Sequence, residues 1–192
     1  KAIQLAEDLG IRIIQLAGYD VYYEDSSFET KKRFLKNLKK ATHMAEKAGV
    51  VLGFETMETE FMNTVEKAMK YTTLVDSPYL NVYPDIGNIT NAAIEYKNDV
   101  LEDMMIGKGH LCAMHLKETV PGKFREIPFG TGHVNFKEAI ALAWQLGIRK
   151  YVTEFWYVGN ENWKEDLVFA HDMFEKMLDE QMTGKDEKNV ES

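Results

Sequence analysis

The chain has 192 residues, which suits one domain with a sizeable core, and its 45% apolar content is that of a globular protein. A formal net charge of −8 argues against a nucleic-acid partner, and no run is apolar enough to span a bilayer. The single cysteine, Cys112, excludes an intrachain disulfide; with no signal-peptide pattern in these residues, a reducing, cytoplasmic setting is expected.

Ala2, Ile3, Leu5, Ala6 and Leu9 recur at helical spacing, and Gly10 stops them. A domain seldom begins inside a helix packed on a strand, so the chain is expected to be the later part of a longer one. Ile11–Ala17 is a short apolar run rich in β-branched residues, interrupted by Arg12 and Gln15, and predicts a strand. Gly18, Tyr19 and Asp20 open a loop. Ser26 or Ser27 can cap the next helix, Ser26 with Glu29 having the spacing of a capping box; the helix runs to about Lys47, and Gly49 ends it. Phe34, Leu35, Leu38, Ala41, Ala45 and Ala48 lie on or near its inner face, and its lysines form a solvated outer one.

Val50–Glu55 predicts the second strand, followed by a helix from Thr59 or Glu60 to Val75. Tyr79–Tyr83 is the third strand, with 84–88 as its exit loop and an uneven helical signal from Ala92 to Ile106. Leu111–His115 is the fourth. Residues 117–133, with two prolines and three glycines, read as a functional loop. Asn135 with Glu138 is spaced to cap a helix to Leu146; Tyr151–Phe155 is the fifth strand. Asn162 with Glu165 is spaced to cap a last helix to about Leu178, so that the domain covers 1–180 and a polar tail 181–192.

The strands are short and apolar on both faces, as parallel strands covered by helices must be. Two α/β architectures fit this alternation: a doubly wound five-stranded sheet, and a (β/α)₈ TIM barrel of which the chain holds the last five strands. The barrel is preferred. Polar residues end several consecutive strands, whereas a doubly wound sheet gathers its site at one crevice.

Those polar residues are Glu55, Asp85, His115 and Glu154. A lone acid at a strand end is usually a helix cap or a solvated loop residue. Four such ends in succession point instead to one divalent-metal site, because parallel neighbours bring their ends together. Oxygen-rich ligation with one imidazole favours Mn²⁺, with Mg²⁺, Co²⁺ or Zn²⁺ as alternatives. Lys117, Arg125, the Gly130–Gly132 backbone, Phe129 and His133 are weaker candidates for contacts to a substrate or its anionic group; the alternative is a solvated loop lysine for Lys117, packing beneath the loops for Phe129 and a structural role for His133.

The stretches 11–24, Pro84–Asn88, His115–Glu118 and Pro128–Gly132 resemble the L-ribulose-5-phosphate / L-xylulose-5-phosphate 3-epimerases, a family often described as hexulose-6-phosphate isomerases. The resemblance runs from Lys1 to about Met177 and implies a xylose-isomerase-like barrel in which the front three strands are absent. It also implies carbohydrate metabolism of pentose phosphates, including L-ascorbate degradation, a sugar-phosphate substrate and a homodimer. Its metal ligands match Glu55, Asp85, His115 and Glu154, and its acid–base pair matches Glu55 and Glu154. The implied reaction is epimerisation at C3 of a ketopentose 5-phosphate, with an aldose–ketose isomerase or a non-catalytic sugar-phosphate binder as alternatives. An apurinic endonuclease of the same superfamily would need more ligating histidines and a basic face.

Overall fold

A computed structural model describes residues 1–184. Its elements alternate as expected: α1 Ala2–Asp8, β1 Ile13–Ala17, α2 Phe28–Ala48, β2 Val51–Glu55, α3 Val65–Val75, β3 Leu80–Tyr83, α4 Ile86–Tyr96, α5 Val100–Ile106, β4 Met114–Leu116, α6 Phe136–Gln145, β5 Tyr151–Thr153 and α7 Trp163–Thr183.

Every strand pairing is parallel. β1 pairs with β2 (Ala17 opposite Glu55), β2 with β3 (Glu55 opposite Tyr83), and β4 with β5 (His115 opposite Val152). Between β3 and β4 the ladder is reduced to two bridges, Val82–Leu111 and Asp85–His115. The strands therefore follow one another in chain order, as consecutive barrel strands do. β1 and β5 each pair on one side only among the described residues, so the sheet is an open arc of a barrel.

Period-two alternation sorts the strand side chains. Leu52, Phe54, Leu80 and Val82 pack with Leu38 and Ala45 of α2 and Val65 and Ala68 of α3. A second core gathers Met114 and Leu116 of β4 with Ile89, Met104, Ile140 and Phe174 from the later helices. Gly53 and Glu55 point to the other face, toward the concave side of the arc.

Several boundaries differ from the sequence expectation, each for a local reason. Of the two serines expected to cap α2, Ser27 does so, with Thr30 and not Glu29 as its partner: its hydroxyl accepts from Thr30 N, and the Thr30 hydroxyl accepts from Ser27 N. Ser26 instead donates to Asp20 at 2.6 Å. α3 starts at Val65, after Thr64, because Asp103 of α5 supplies a second cap, accepting from Val65 N (2.7 Å) and Glu66 N (3.0 Å). The expected helix from Ala92 to Ile106 is two helices: Lys97 turns left-handed (φ 54°), and Asp99 caps the second by accepting from Leu101 N and Glu102 N.

Asn135 caps α6 as expected, accepting from Glu138 N at 3.3 Å. Asn162 stands before α7 without a side-chain cap; its carbonyl accepts from Glu165 N at 2.9 Å. α7 runs to Thr183, beyond both the expected end near Leu178 and the start of the tail at 181; residues 185–192 of that tail lie outside the described residues.

Candidate functional site

Parallel order puts the strands' C-terminal ends on one rim, and four side chains meet there. Glu55 is the last residue of β2, Asp85 lies two residues past β3, His115 is in β4, and Glu154 follows β5 with its N–H donating to Leu116 O at 2.9 Å. One ligand atom from each lies within 4.8 Å of all the others. His115 Nδ1 is 2.8 Å from Glu55 Oε1, 2.8 Å from Glu154 Oε2 and 3.8 Å from Asp85 Oδ2.

Asp85 is both a helix cap and a member of the cluster. Its Oδ1 accepts from Asn88 N at 2.8 Å, at the start of α4. Its backbone is fixed by Thr56, whose hydroxyl accepts from Asp85 N at 2.9 Å, while Asn88 donates to Thr56 O at 2.8 Å. Oδ2 is thereby left facing the cluster, 2.8 Å from Lys117 Nζ. Gln15 of β1 donates to Glu55 Oε2, and the Tyr83 ring meets the imidazole edge-on at 4.7 Å.

Electrostatics hold the group together. Burial pushes the His115 imidazole down, but contacts with Glu154 and Glu55 override it and carry it up to about 9. Burial raises the Asp85 carboxyl despite the Lys117 ammonium. Burial also works to raise Glu154, but His115 and Lys117 outweigh it and lower it. Asp85 Oδ2 and Glu154 Oε2 are buried with no aligned hydrogen-bond donor; the 2.8 Å contacts to Lys117 and His115 are charge contacts lacking that alignment. Three carboxylates around one ammonium and one imidazole leave an excess of buried negative charge that a further cation would offset. With ligand bonds of about 2.0–2.2 Å, one ion fits a spread of this size with small adjustment. The donor set, three carboxylates and an imidazole, is able to coordinate a divalent metal.

The weaker candidates divide. Lys117 is buried at the cluster, neither solvated nor free. Arg125 lies on the rim, 2.8 Å from Glu58 Oε1, donating to Tyr23 OH at 2.7 Å and 5.7 Å over the Trp156 ring. Phe129 packs edge-on against Phe136, Phe155 and Phe174, and its other side borders a cavity of about 210 Å³ shared with Trp156 and Phe169. The Gly130 N–H donates to Glu118 at 3.1 Å, and His133 contacts the Thr119 hydroxyl at 2.9 Å.

Four residues of the site were missed by sequence reasoning. Glu58 accepts from Tyr19 (2.7 Å), Tyr23 and Arg125, tying the loops after β1, β2 and β4 together. Tyr83, Gln15 and Glu118 are the others. Of these, only Gln15 carries a visible signal, as a polar break in an apolar strand.

Residues 1–173 match the family model described as xylose isomerase-like TIM barrel. Among curated proteins, the chain is 42% identical over 173 residues to L-ribulose-5-phosphate 3-epimerase UlaE of Escherichia coli O17:K52:H18, covering 90% of this chain and 60% of that protein. The protein of the same name from Shigella sonnei gives the same values. The chain thus spans 60% of the length of these curated relatives. Among solved structures, a D-tagatose 3-epimerase-like protein superposes with TM-score 0.79 at 18% identity, covering 95% of this chain and 68% of that one. An L-ribulose 3-epimerase gives 0.73 at 17%, covering 99% and 68%. At these identities the structures show a shared fold.

Proposed function

The chain belongs to the xylose isomerase-like TIM barrel family, and on that premise we propose that it is the catalytic part of a metal-dependent 3-epimerase interconverting L-ribulose 5-phosphate and L-xylulose 5-phosphate. One observation carries the reading: two carboxylates, Glu55 at the end of β2 and Glu154 just after β5, flank His115 Nδ1 at 2.8 Å each, with Asp85 completing a four-residue cluster. The likeness to the Escherichia coli and Shigella epimerases supports the choice of substrate.

Glu55, Asp85, His115 and Glu154 would hold the ion, which we take to be Mn²⁺ from the oxygen-rich donor set. A bound dication supplies polarisation of the C2 carbonyl and stabilises the negative charge that develops when C3 loses its proton. Glu55 and Glu154 do the proton work. Inversion at C3 needs one carboxylate to remove the proton from one face of the planar enediolate and the other to return a proton to the opposite face. Carboxylates reaching in from β2 and from the end of β5 suit that division. Arg125, exposed on the rim and held by Glu58, is the proposed contact for the substrate's phosphate. A homodimer in the cytoplasm completes the reading, on the family resemblance.

The direct test is incubation of the purified protein with L-ribulose 5-phosphate and Mn²⁺ in D₂O. L-xylulose 5-phosphate carrying deuterium at C3 is the expected product. An aldose phosphate would shift the reading to 1,2-isomerisation, and metal and ligand binding without turnover would oppose catalysis.

Metal addition should also stabilise the fold. At a free Mn²⁺ concentration one hundred times Kd, unfolding should cost about 2.7 kcal/mol more, read as a rise in Tm that EDTA reverses. His115→Ala should abolish that rise; an equal rise in the variant would place the ion elsewhere.

A further inference from the structure

We propose that Lys117 sets the valence of the ion the site accepts, favouring a dication over a trication; this rests on the metal reading above. The Lys117 side chain is only 5% exposed, and its ammonium is 2.8 Å from Asp85 Oδ2. The ammonium also lies 5.8 Å from the centroid of the neutral Trp156 ring. A lysine is almost never buried without a partner, so this one is a fixed charge of the cluster.

The charge count follows. Glu55, Asp85 and Glu154 bring three negative charges, a neutral His115 ligand none, and Lys117 one positive. Among the described residues no other lysine or arginine pairs with these carboxylates. The net −2 is cancelled by a dication. A trication would leave a buried excess of one positive charge, which a poorly solvated site disfavours. Without Lys117 the balance moves to −3 and the preference to the trication.

The competing account is that Lys117 merely orients Asp85. Its loss would then weaken both kinds of ion alike, because both need the same ligand. Charge balance moves the two affinities relative to each other.

The experiment measures Mn²⁺ by electron paramagnetic resonance and Tb³⁺ by luminescence sensitised by nearby aromatic rings, in the wild-type protein and in variants. Lys117→Met should raise the ratio of Tb³⁺ to Mn²⁺ affinity by at least about tenfold, a modest return for one charge within several ångströms at an effective dielectric near 20. Lys117→Arg should hold the ratio within about threefold of wild type, since the charge is kept. Gln15→Glu is an independent variant: Gln15 is exposed on β1 and donates to Glu55, so the change adds a negative charge without removing Lys117. It should raise the same ratio, and it decides the matter if Lys117→Met does not fold. An unchanged ratio in a wild-type protein background that does bind Mn²⁺ overturns the inference alone. A wild-type protein that binds no Mn²⁺ overturns the metal reading and this inference together.

Discussion

Glu154→Gln should lower epimerisation by at least about 10²-fold, the lower end of what a positioned general acid or base contributes. The amide keeps the shape of the side chain and so preserves the contacts of the rim. It cannot accept the C3 proton or return one. The Glu154 backbone is fixed by its N–H to Leu116 O at 2.9 Å, so the variant should fold as the wild type does. A plain loss of activity does not separate a proton-transfer role from a weakened metal site, but isotope exchange does. With Glu55 intact, one epimer should still exchange its C3 proton with D₂O while giving almost no product, and the other should exchange little. Glu55→Gln should show the opposite pattern. Exchange lost from both epimers in one variant and kept for both in the other, at saturating Mn²⁺, would favour a one-base mechanism; loss from both epimers in both variants would mean that the two carboxylates act through the metal site. Full epimerisation by Glu154→Gln would remove Glu154 from the chemistry.

The four clustered residues were legible in the sequence because each terminates its own apolar run, and parallel order turns that sequence position into a position on one rim. What was not legible depends on partners distant in the chain. α3 begins at Val65 because Asp103, 38 residues from Val65, caps it; the sequence near Thr59 and Glu60 offers an equally good local start. For Lys117 the sequence leaves an anion-binding residue and a solvated loop lysine equally open; its partner proves to be Asp85, 32 positions back in the chain. The Gly130–Gly132 pair resembles a small phosphate cradle, but Glu118 already occupies the Gly130 amide. The break between β3 and β4 is a further case. Residues 111–115 are apolar enough for one continuous strand, yet Leu111 and His115 only bridge to β3, and the regular ladder of β4 is made with β5.

Glu118→Ala should cost about 3–5 kcal/mol of stability, the scale for removing a buried, multiply hydrogen-bonded charge. Glu118 is 3% exposed, and its carboxylate accepts from three backbone N–H groups: Thr119 (3.1 Å), Val134 (3.2 Å) and Gly130 (3.1 Å). Truncation leaves all three donors without their acceptor. The space is closely shared, since a Cβ at Gly132 would collide with Glu118 Oε1 and the Thr119 carbonyl. Residues 128–134 are therefore shaped around this one carboxylate. Glu118→Gln should lose less, because the amide oxygen still accepts while its NH₂ faces N–H donors. Urea unfolding reads the total cost. Hydrogen exchange locates it: the Gly130 and Val134 amides should lose protection in Glu118→Ala even under conditions where the protein stays folded. Unchanged protection at both amides would mean that the loop is held by Phe129 and its aromatic neighbours instead. Because the loop also borders Trp156 and Phe155 across the cavity, its release should loosen the wall behind Glu154 and weaken substrate binding more than metal binding.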